Sequence, residues 1–150
     1  MPSLNLRHSA RAVVLDEEDR ILLCRCVLPS EVVWITPGGG IEEGESMSAA
    51  LRRELFEEVG LVFEGPLQHV WHQQLVGPEY APGHDGVIND YFLLRVETFE
   101  PNSGLSDSDL AAERMTSFRW WMLSEIAEYQ GPELFGPQDL AAVLDELIAK

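Results

Sequence analysis

The stretch Gly39–Leu61 reads GGIEEGESMSAALRRELFEEVGL and carries the strongest local pattern in the chain. Apolar residues recur at every fourth position and form one stripe on a helix predicted over Ser46–Val59: Met47, Leu51, Leu55 and Val59. Ser46 suits the N-cap, and Gly60 suits the left-handed position just after the helix ends. The stretch therefore predicts a glycine-rich turn that leads into an amphipathic helix.

The end of this predicted helix is unusually acidic. Glu54, Glu57 and Glu58 lie at positions i, i+3 and i+4, so their carboxylates share one helix face. Like charges at these spacings cost about 0.2–0.5 kcal/mol per pair, and the helix dipole adds about 0.3–1 kcal/mol for each acid in the last turn. A divalent cation would offset this repulsion, because Mg²⁺ and Mn²⁺ prefer carboxylate oxygens. From the helix alone, a metal site and a solvated acidic helix end are equally supported.

The complete stretch resembles the Nudix box, G-x5-E-x7-R-E-U-x-E-E-x-G-U, where U is an aliphatic residue. Every defined position of the box is matched between Gly39 and Leu61. The resemblance implies an α/β fold of the Nudix type, an α/β/α sandwich in which a mixed β-sheet is flanked by helices. It also implies a single Nudix hydrolase domain over residues 1–150, acting as a pyrophosphohydrolase with Mg²⁺, or alternatively Mn²⁺, as cofactor.

The resemblance also assigns roles within the box. The implied metal ligands are Glu54, Glu57, Glu58 and the carbonyl of Gly39. Glu45 and Arg53 match the pair that braces the loop against the helix, which is a structural role. We expect a loss of either to lower activity indirectly, because the metal ligands would be misplaced.

Catalysis needs a water molecule and a base that takes its proton. Glu57 is the leading candidate for this base, and Glu113, in the acidic stretch before the last predicted strand, is the second. An exposed loop acid is an equally good interpretation of Glu113. The backbone at Gly38 and Gly39 and the side chain of Arg25 are predicted to bind substrate, although Arg25 also fits the exposed side of the sheet.

The predicted substrate is a small nucleotide, namely a nucleoside diphosphate linked to another group. A nucleoside triphosphate (including an oxidised one), a nucleotide sugar and a dinucleotide are comparable alternatives. The formal charge of -16, from 26 acidic and 10 basic side chains, disfavours extended nucleic acid as a partner. A nucleotide-sensing Nudix-fold module without hydrolytic activity is the main alternative. Isomerisation of an isoprenoid diphosphate is a further one, but the sequence context of its catalytic cysteine is not evident.

The remaining sequence gives weaker indications. Cys24 and Cys26 are predicted to be reduced thiols on one face of a buried strand, and His69 and His72 to lie on opposite faces of another. No apolar run approaches the roughly 20 residues of a membrane-spanning helix, and the first residues lack the pattern of a signal peptide. We therefore expect a cytoplasmic protein that does not enter a membrane. The apolar content of 45% permits a homodimer without requiring one.

Overall fold

A computed structural model describes residues 4–77, 79–81, 83–101, 115–136 and 139–148. Within these ranges the strands are β1 (Leu6–Leu15), β2 (Ile21–Val27), β3 (Val32–Ile35), β4 (Gly38–Gly40), β5 (Gln68–Val76), β6 (Gly86–Arg95), β7 (Met115–Trp121) and β8 (Leu134–Gly136). The helices are α1 (Met47–Val59), α2 (Leu123–Ala127) and α3 (Leu140–Ile148). None of these helices has the length and the apolar character that crossing a bilayer requires.

The strands form one mixed sheet whose two halves diverge. In one half, β1 pairs in parallel with β6 along its whole length, while β4 pairs with β1 opposite Ser9–Arg11. In the other half, β2 lies between β3 and β7. β1 and β2 pair only at Leu15 and Ile21, directly beside the turn that joins them. The two halves therefore separate beyond this pair, and a cleft opens between them.

Helices cover both faces of the sheet. On one face, α1 inserts Leu51, Leu55 and Val59 into a core that includes Leu22 and Phe92. Each of these α1 side chains is almost completely buried, which contributes about 1.5–3 kcal/mol apiece. On the other face, α2 and α3 pack against an aromatic cluster whose buried members include Trp34 and Trp121. The predicted α/β/α arrangement is confirmed.

The ends of α1 also agree with the sequence prediction. The Ser46 hydroxyl accepts a hydrogen bond from the Ala49 N–H at 3.1 Å, and Gly60 adopts a φ of 74°. At α2 the N-cap is Met122, and its backbone N–H donates to the Glu125 side chain at 2.8 Å.

Candidate functional site

The glycine run of β4 is pressed between β1 and α1. Gly38 has a φ of +139°, and a Cβ there would lie 2.8 Å from the Arg11 Cα. A Cβ at Gly39 would lie 2.7 Å from the Glu54 Cδ. Only glycine fits at position 38, whereas a side chain at position 39 would force the Glu54 carboxylate to move. The absence of a side chain at Gly39 lets the Glu54 carboxylate lie directly against the backbone.

Glu58 is a buried acid at the end of α1. The residue is 3% exposed, and its Oε1 accepts a hydrogen bond from the Gly38 N–H at 3.0 Å. A buried carboxylate is costly unless donors or cations compensate its charge. Since the Gly38 N–H already donates to Glu58, it is engaged within the protein. Glu58 thus fixes the end of α1 to the start of β4.

Arg53 joins the loop before α1 to the helix. Its Nε and Nη2 donate to the two carboxylate oxygens of Glu45 at 2.8 and 3.0 Å, and Nη2 also donates to the Gly40 carbonyl at 3.2 Å. This two-pronged contact, with a hydrogen bond from the loop backbone at Glu42, lowers the pKa of Glu45 to about 2. The pKa of Arg53 is raised, chiefly by the hydrogen bond with Glu45. The pair has the geometry of a brace between loop and helix.

The same guanidinium also reaches two of the clustered acids. Arg53 Nη1 donates to Glu54 Oε1 at 3.0 Å and to Glu57 Oε2 at 3.4 Å. The Glu54 side chain is 13% exposed and that of Glu57 is 39% exposed, so Glu57 is the more open to solvent. Glu54 and Glu57 therefore turn oxygens towards Arg53, whereas Glu58 turns one towards Gly38. The potential metal ligands at this end of α1 are carboxylate oxygens beside a glycine backbone, and Mg²⁺ and Mn²⁺ prefer such oxygen ligands.

Two neighbouring cavities open beside these acids. The smaller, of about 270 Å³, is lined by Glu54 and Glu58 together with Arg7 and Arg11 of β1. The larger, of about 540 Å³, shares both arginines and continues towards Tyr80. Glu57, by contrast, lies on the exposed side of α1 and lines neither cavity. The acidic helix end thus borders a cleft that carries positive charge.

Arg7 and Arg11 were missed by the sequence analysis. They are four residues apart on β1 and therefore point to the same side of the strand. Arg11 Nη1 donates to the carbonyls of Thr36 and Gly38 at 3.2 and 3.4 Å, while Arg7 has no ion-pair partner within the described part of the chain. The sequence feature that could have indicated them is a pair of arginines four residues apart on one strand. Their proximity to the glutamates depends on strand pairing that local sequence does not reveal.

The structure does not bring Arg25 into this site. Its Nε donates to Glu133 at 2.8 Å and its Nη1 to the Thr116 hydroxyl at 3.3 Å. Its neighbours in β2, Cys24 and Cys26, face the smaller cavity instead. Adjacent strand residues point to opposite faces, so Arg25 points away from the cavity. Glu113, the second candidate for the base, lies outside the described residues.

The two cysteines are buried and free, as predicted. The pKa of Cys24 is raised, first by a hydrogen bond with Cys26 and then by burial. A thiol with a raised pKa stays protonated at neutral pH and is a poor nucleophile. The raised pKa therefore makes Cys24 a poor nucleophile in this cavity.

The prediction for His69 and His72 is wrong. Both rings contact Asp90, because the register of β5 against β6 shifts between His69 and Trp71. The extra residue at this bulge turns both histidines to the face that carries α1. Bulges change which face a residue occupies, and they are rarely evident from sequence alone.

Comparison with known proteins identifies relatives of this chain. The family profile described as NUDIX domain matches residues 5–141. An RNA pyrophosphohydrolase of Campylobacter jejuni is 35% identical over 104 residues, which cover 62% of this chain and 65% of that protein. An RNA pyrophosphohydrolase of Caulobacter vibrioides is 31% identical over 112 residues, which cover 69% of this chain and 61% of that protein. The chain thus spans less than two thirds of the length of either relative.

Solved structures share the fold at lower identity. A MutT NUDIX hydrolase from Burkholderia pseudomallei superposes with a TM-score of 0.67 at 22% identity, covering 93% of this chain and 95% of that one. The NUDIX domain of Shewanella oneidensis NrtR, solved in complex with ADP ribose, gives a TM-score of 0.72 at 16% identity, covering 99% and 90%. These likenesses establish the fold.

Proposed function

Because the chain belongs to the Nudix family, we propose that it hydrolyses a phosphoanhydride bond in a nucleoside diphosphate linked to another group. The observation that carries the proposal is the contact between the acidic end of α1 and the glycine run. There, Glu58 is held to Gly38 at 3.0 Å and Glu54 lies against Gly39, beside a cleft lined by two arginines. This combination places acidic oxygens for a cation next to positive charge for a phosphate chain.

The proposed cofactor is Mg²⁺, which Mn²⁺ can replace, held by Glu54, Glu57, Glu58 and the carbonyl of Gly39. When bound, the cation supplies positive charge that neutralises phosphate oxygens and makes a water molecule more acidic. Arg53 and Glu45 position these ligands through the contact between loop and helix. The contacts of Arg53 with Glu54 and Glu57 reduce the repulsion between these two acids before a cation binds.

Glu57 is the proposed base that takes a proton from water. Its side chain is the most exposed of the three acids, whereas Glu58 is buried and already accepts a hydrogen bond from Gly38. An exposed carboxylate can exchange a proton with solvent after each turnover. Glu113 remains the alternative base, from a stretch outside the described residues.

The arginines of β1 are proposed to bind the phosphates of the substrate. Arg7 and Arg11 line both cavities and so can contact a phosphate chain that runs from one to the other. The larger cavity, with Tyr80 and Asn89 in its wall, offers an aromatic ring and an amide for a nucleoside. ADP ribose, the ligand in the NrtR NUDIX domain structure, belongs to the proposed substrate class.

A second candidate substrate is the 5′ end of an RNA. The relatives from Campylobacter jejuni and Caulobacter vibrioides are both named RNA pyrophosphohydrolase, which favours this possibility. The formal charge of -16 opposes tight contact with a long phosphate backbone. A small nucleotide therefore remains the first choice.

The test is a panel of substrates incubated with the full chain and Mg²⁺, with products identified by mass. The panel contains nucleoside triphosphates, an oxidised triphosphate, ADP ribose, a nucleotide sugar, a dinucleotide and a 5′-triphosphorylated oligoribonucleotide. We expect release of a nucleoside monophosphate from at least one small nucleotide, and no release by Glu58→Gln prepared in the same way. Removal of pyrophosphate from the oligoribonucleotide alone would select the second candidate. Tight nucleotide binding without turnover under Mg²⁺ or Mn²⁺ would identify a sensor and overturn the proposal.

A further inference from the structure

A cluster of three histidines surrounds one buried carboxylate on the sheet face that carries α1. The Asp90 side chain is 6% exposed and accepts contacts at both oxygens. His69 Nε2 and His72 Nδ1 lie 2.8 and 2.7 Å from Oδ1, and His8 Nε2 lies 2.5 Å from Oδ2. These four residues come from the three adjacent strands β1, β5 and β6.

Strand pairing explains how the cluster forms. His72 lies opposite Asp90, and His69 lies opposite Phe92, two residues further along the same face of β6. The bulge in β5 is what lets residues three apart share this face. His8 lies two residues before the partner of Asp90 in the parallel pairing of β1 with β6. The backbone therefore aims all four side chains at one point.

We propose that His69, His72 and Asp90 form a binding site for a first-row transition dication of the Zn²⁺ class, which shares no ligand with the proposed Mg²⁺ site. Their ligand atoms, His69 Nε2, His72 Nδ1 and Asp90 Oδ1, all lie within 4.8 Å of one another. Tetrahedral zinc sites bring such atoms to about 2.0–2.2 Å from the ion, so their mutual separation is about 3.4 Å. Small movements of exposed side chains are enough to close that difference.

The ligand chemistry separates this site from the one on α1. Imidazole nitrogens favour Zn²⁺, Cu²⁺ and Ni²⁺ over Mg²⁺, which prefers an all-oxygen environment. His8 supplies the outer contact that ligating carboxylates commonly have, since it hydrogen-bonds the second oxygen of Asp90. Three protein ligands leave a fourth position for water or an added ligand.

Access and charge favour binding of a cation here. The side chains of His69 and His72 are 46% and 53% exposed, so an ion can reach the nitrogens from solvent. The carboxylate lies beneath them and provides the negative charge. The competing interpretation is a hydrogen-bonded cluster that only ties the three strands together, and it predicts no metal dependence.

The test is calorimetric titration of the full chain with Zn²⁺ in a large excess of Mg²⁺, which keeps the α1 site filled. We expect one Zn²⁺ per chain, and an affinity at least about tenfold lower for both His69→Gln and His72→Gln. His84→Gln is the matched control, since it removes a histidine outside the cluster. Glu57→Gln separates the two sites, and it should leave the Zn²⁺ affinity unchanged.

Thermal unfolding of each variant without zinc reports whether it folds, and two ligand variants are used so that one misfolded protein does not decide the outcome. Anomalous diffraction at the zinc edge, from crystals of the wild-type protein, should place the ion between His69, His72 and Asp90. Absence of Zn²⁺ binding under excess Mg²⁺ would overturn the proposal. Unchanged affinity in both histidine variants, or loss of zinc in Glu57→Gln, would overturn it equally.

Discussion

The carboxylate of Glu58 accepts a hydrogen bond from the backbone N–H of Gly38 at 3.0 Å, although the residues are 20 positions apart in sequence. The contact fixes the last turn of α1 to the start of β4. It also keeps a buried acid beside the Glu54 carboxylate, which lies against Gly39. The proposed catalytic centre depends on this junction between a helix end and a glycine turn.

Replacing single acids of α1 and of the loop before it by glutamine should show which of them bind the metal. We expect Glu57→Gln and Glu58→Gln each to lower kcat by about 100-fold or more, because loss of a direct ligand should exceed the 10–100-fold typical of supporting residues. Glu43→Gln, in the exposed loop before α1, should change kcat by less than about twofold. Steady-state kinetics at saturating Mg²⁺ measure the effect. Equal losses in all three variants would remove the basis for assigning the ligands.

Adding a methyl group at Gly39 should displace Glu54. The new Cβ of Gly39→Ala would lie 2.7 Å from the Glu54 Cδ, so the carboxylate must move. We expect the affinity for Mg²⁺ to fall about tenfold or more while the helix content stays unchanged. Gly83→Ala is the control: its Cβ meets open space, and its φ of +80° costs about 1 kcal/mol of stability without touching the site. A metal titration that gives equal affinities for both variants would contradict the placement of Glu54.

Replacing Arg53 tests its role as a brace. Arg53→Lys keeps the charge but loses the two-pronged contact with Glu45. We expect a 10–100-fold loss of Mg²⁺ affinity, of about the size seen for supporting residues. Raised Mg²⁺ should restore a large part of the activity, because the ligands themselves are intact. Activity that stays low at every Mg²⁺ concentration would instead indicate direct contact with substrate.

Asp16 makes stability depend on pH at a place remote from the acids of α1. Burial raises its pKa, but hydrogen bonds from the Arg20 and Glu18 backbone and from Thr98 outweigh this and lower the pKa below 3.8. A pKa lowered by folding stabilises the protein above the unfolded value and ceases to do so as pH falls through the folded value.

Asp16→Asn should therefore destabilise the protein by about 1–3 kcal/mol at pH 7, since an amide N–H₂ would face the donors of Arg20 and Thr98. The difference in the free energy of unfolding between this variant and wild type should shrink below about pH 4. Denaturant unfolding between pH 3 and 7 measures it. Asp19→Asn, at an exposed surface ion pair with Arg95, should change stability by less than about 1 kcal/mol. If the loss of unfolding free energy in Asp16→Asn does not depend on pH, the charge of Asp16 is not involved.

Local sequence predicts local structure well here. The stripe of α1, its Ser46 cap and its Gly60 end follow from periodicity and turn chemistry. The bulge that unites His69 and His72 could not be predicted, because it depends on the register between two distant segments.

The same limit applies to the substrate side of the cleft. Arg7 and Arg11 line the same cavity as Glu54 and Glu58 only because β1 pairs with β4 instead of continuing beside β2. Sequence gives the alternation of a strand but not its neighbours. The motif therefore predicted the acids of the candidate site, whereas the arginines and the histidine cluster can be recognised only from the folded structure.

The proposed activity requires a divalent cation bound between the end of α1 and the glycine run. The most direct test is a titration of the ¹⁵N-labelled full chain with substoichiometric Mn²⁺, observed by paramagnetic loss of amide signals. We expect the amides of Gly38–Gly40 and Glu54–Glu58 to lose intensity first, and excess Mg²⁺ to restore them. If those amides keep their intensity while signals elsewhere disappear, the proposed active site is wrong.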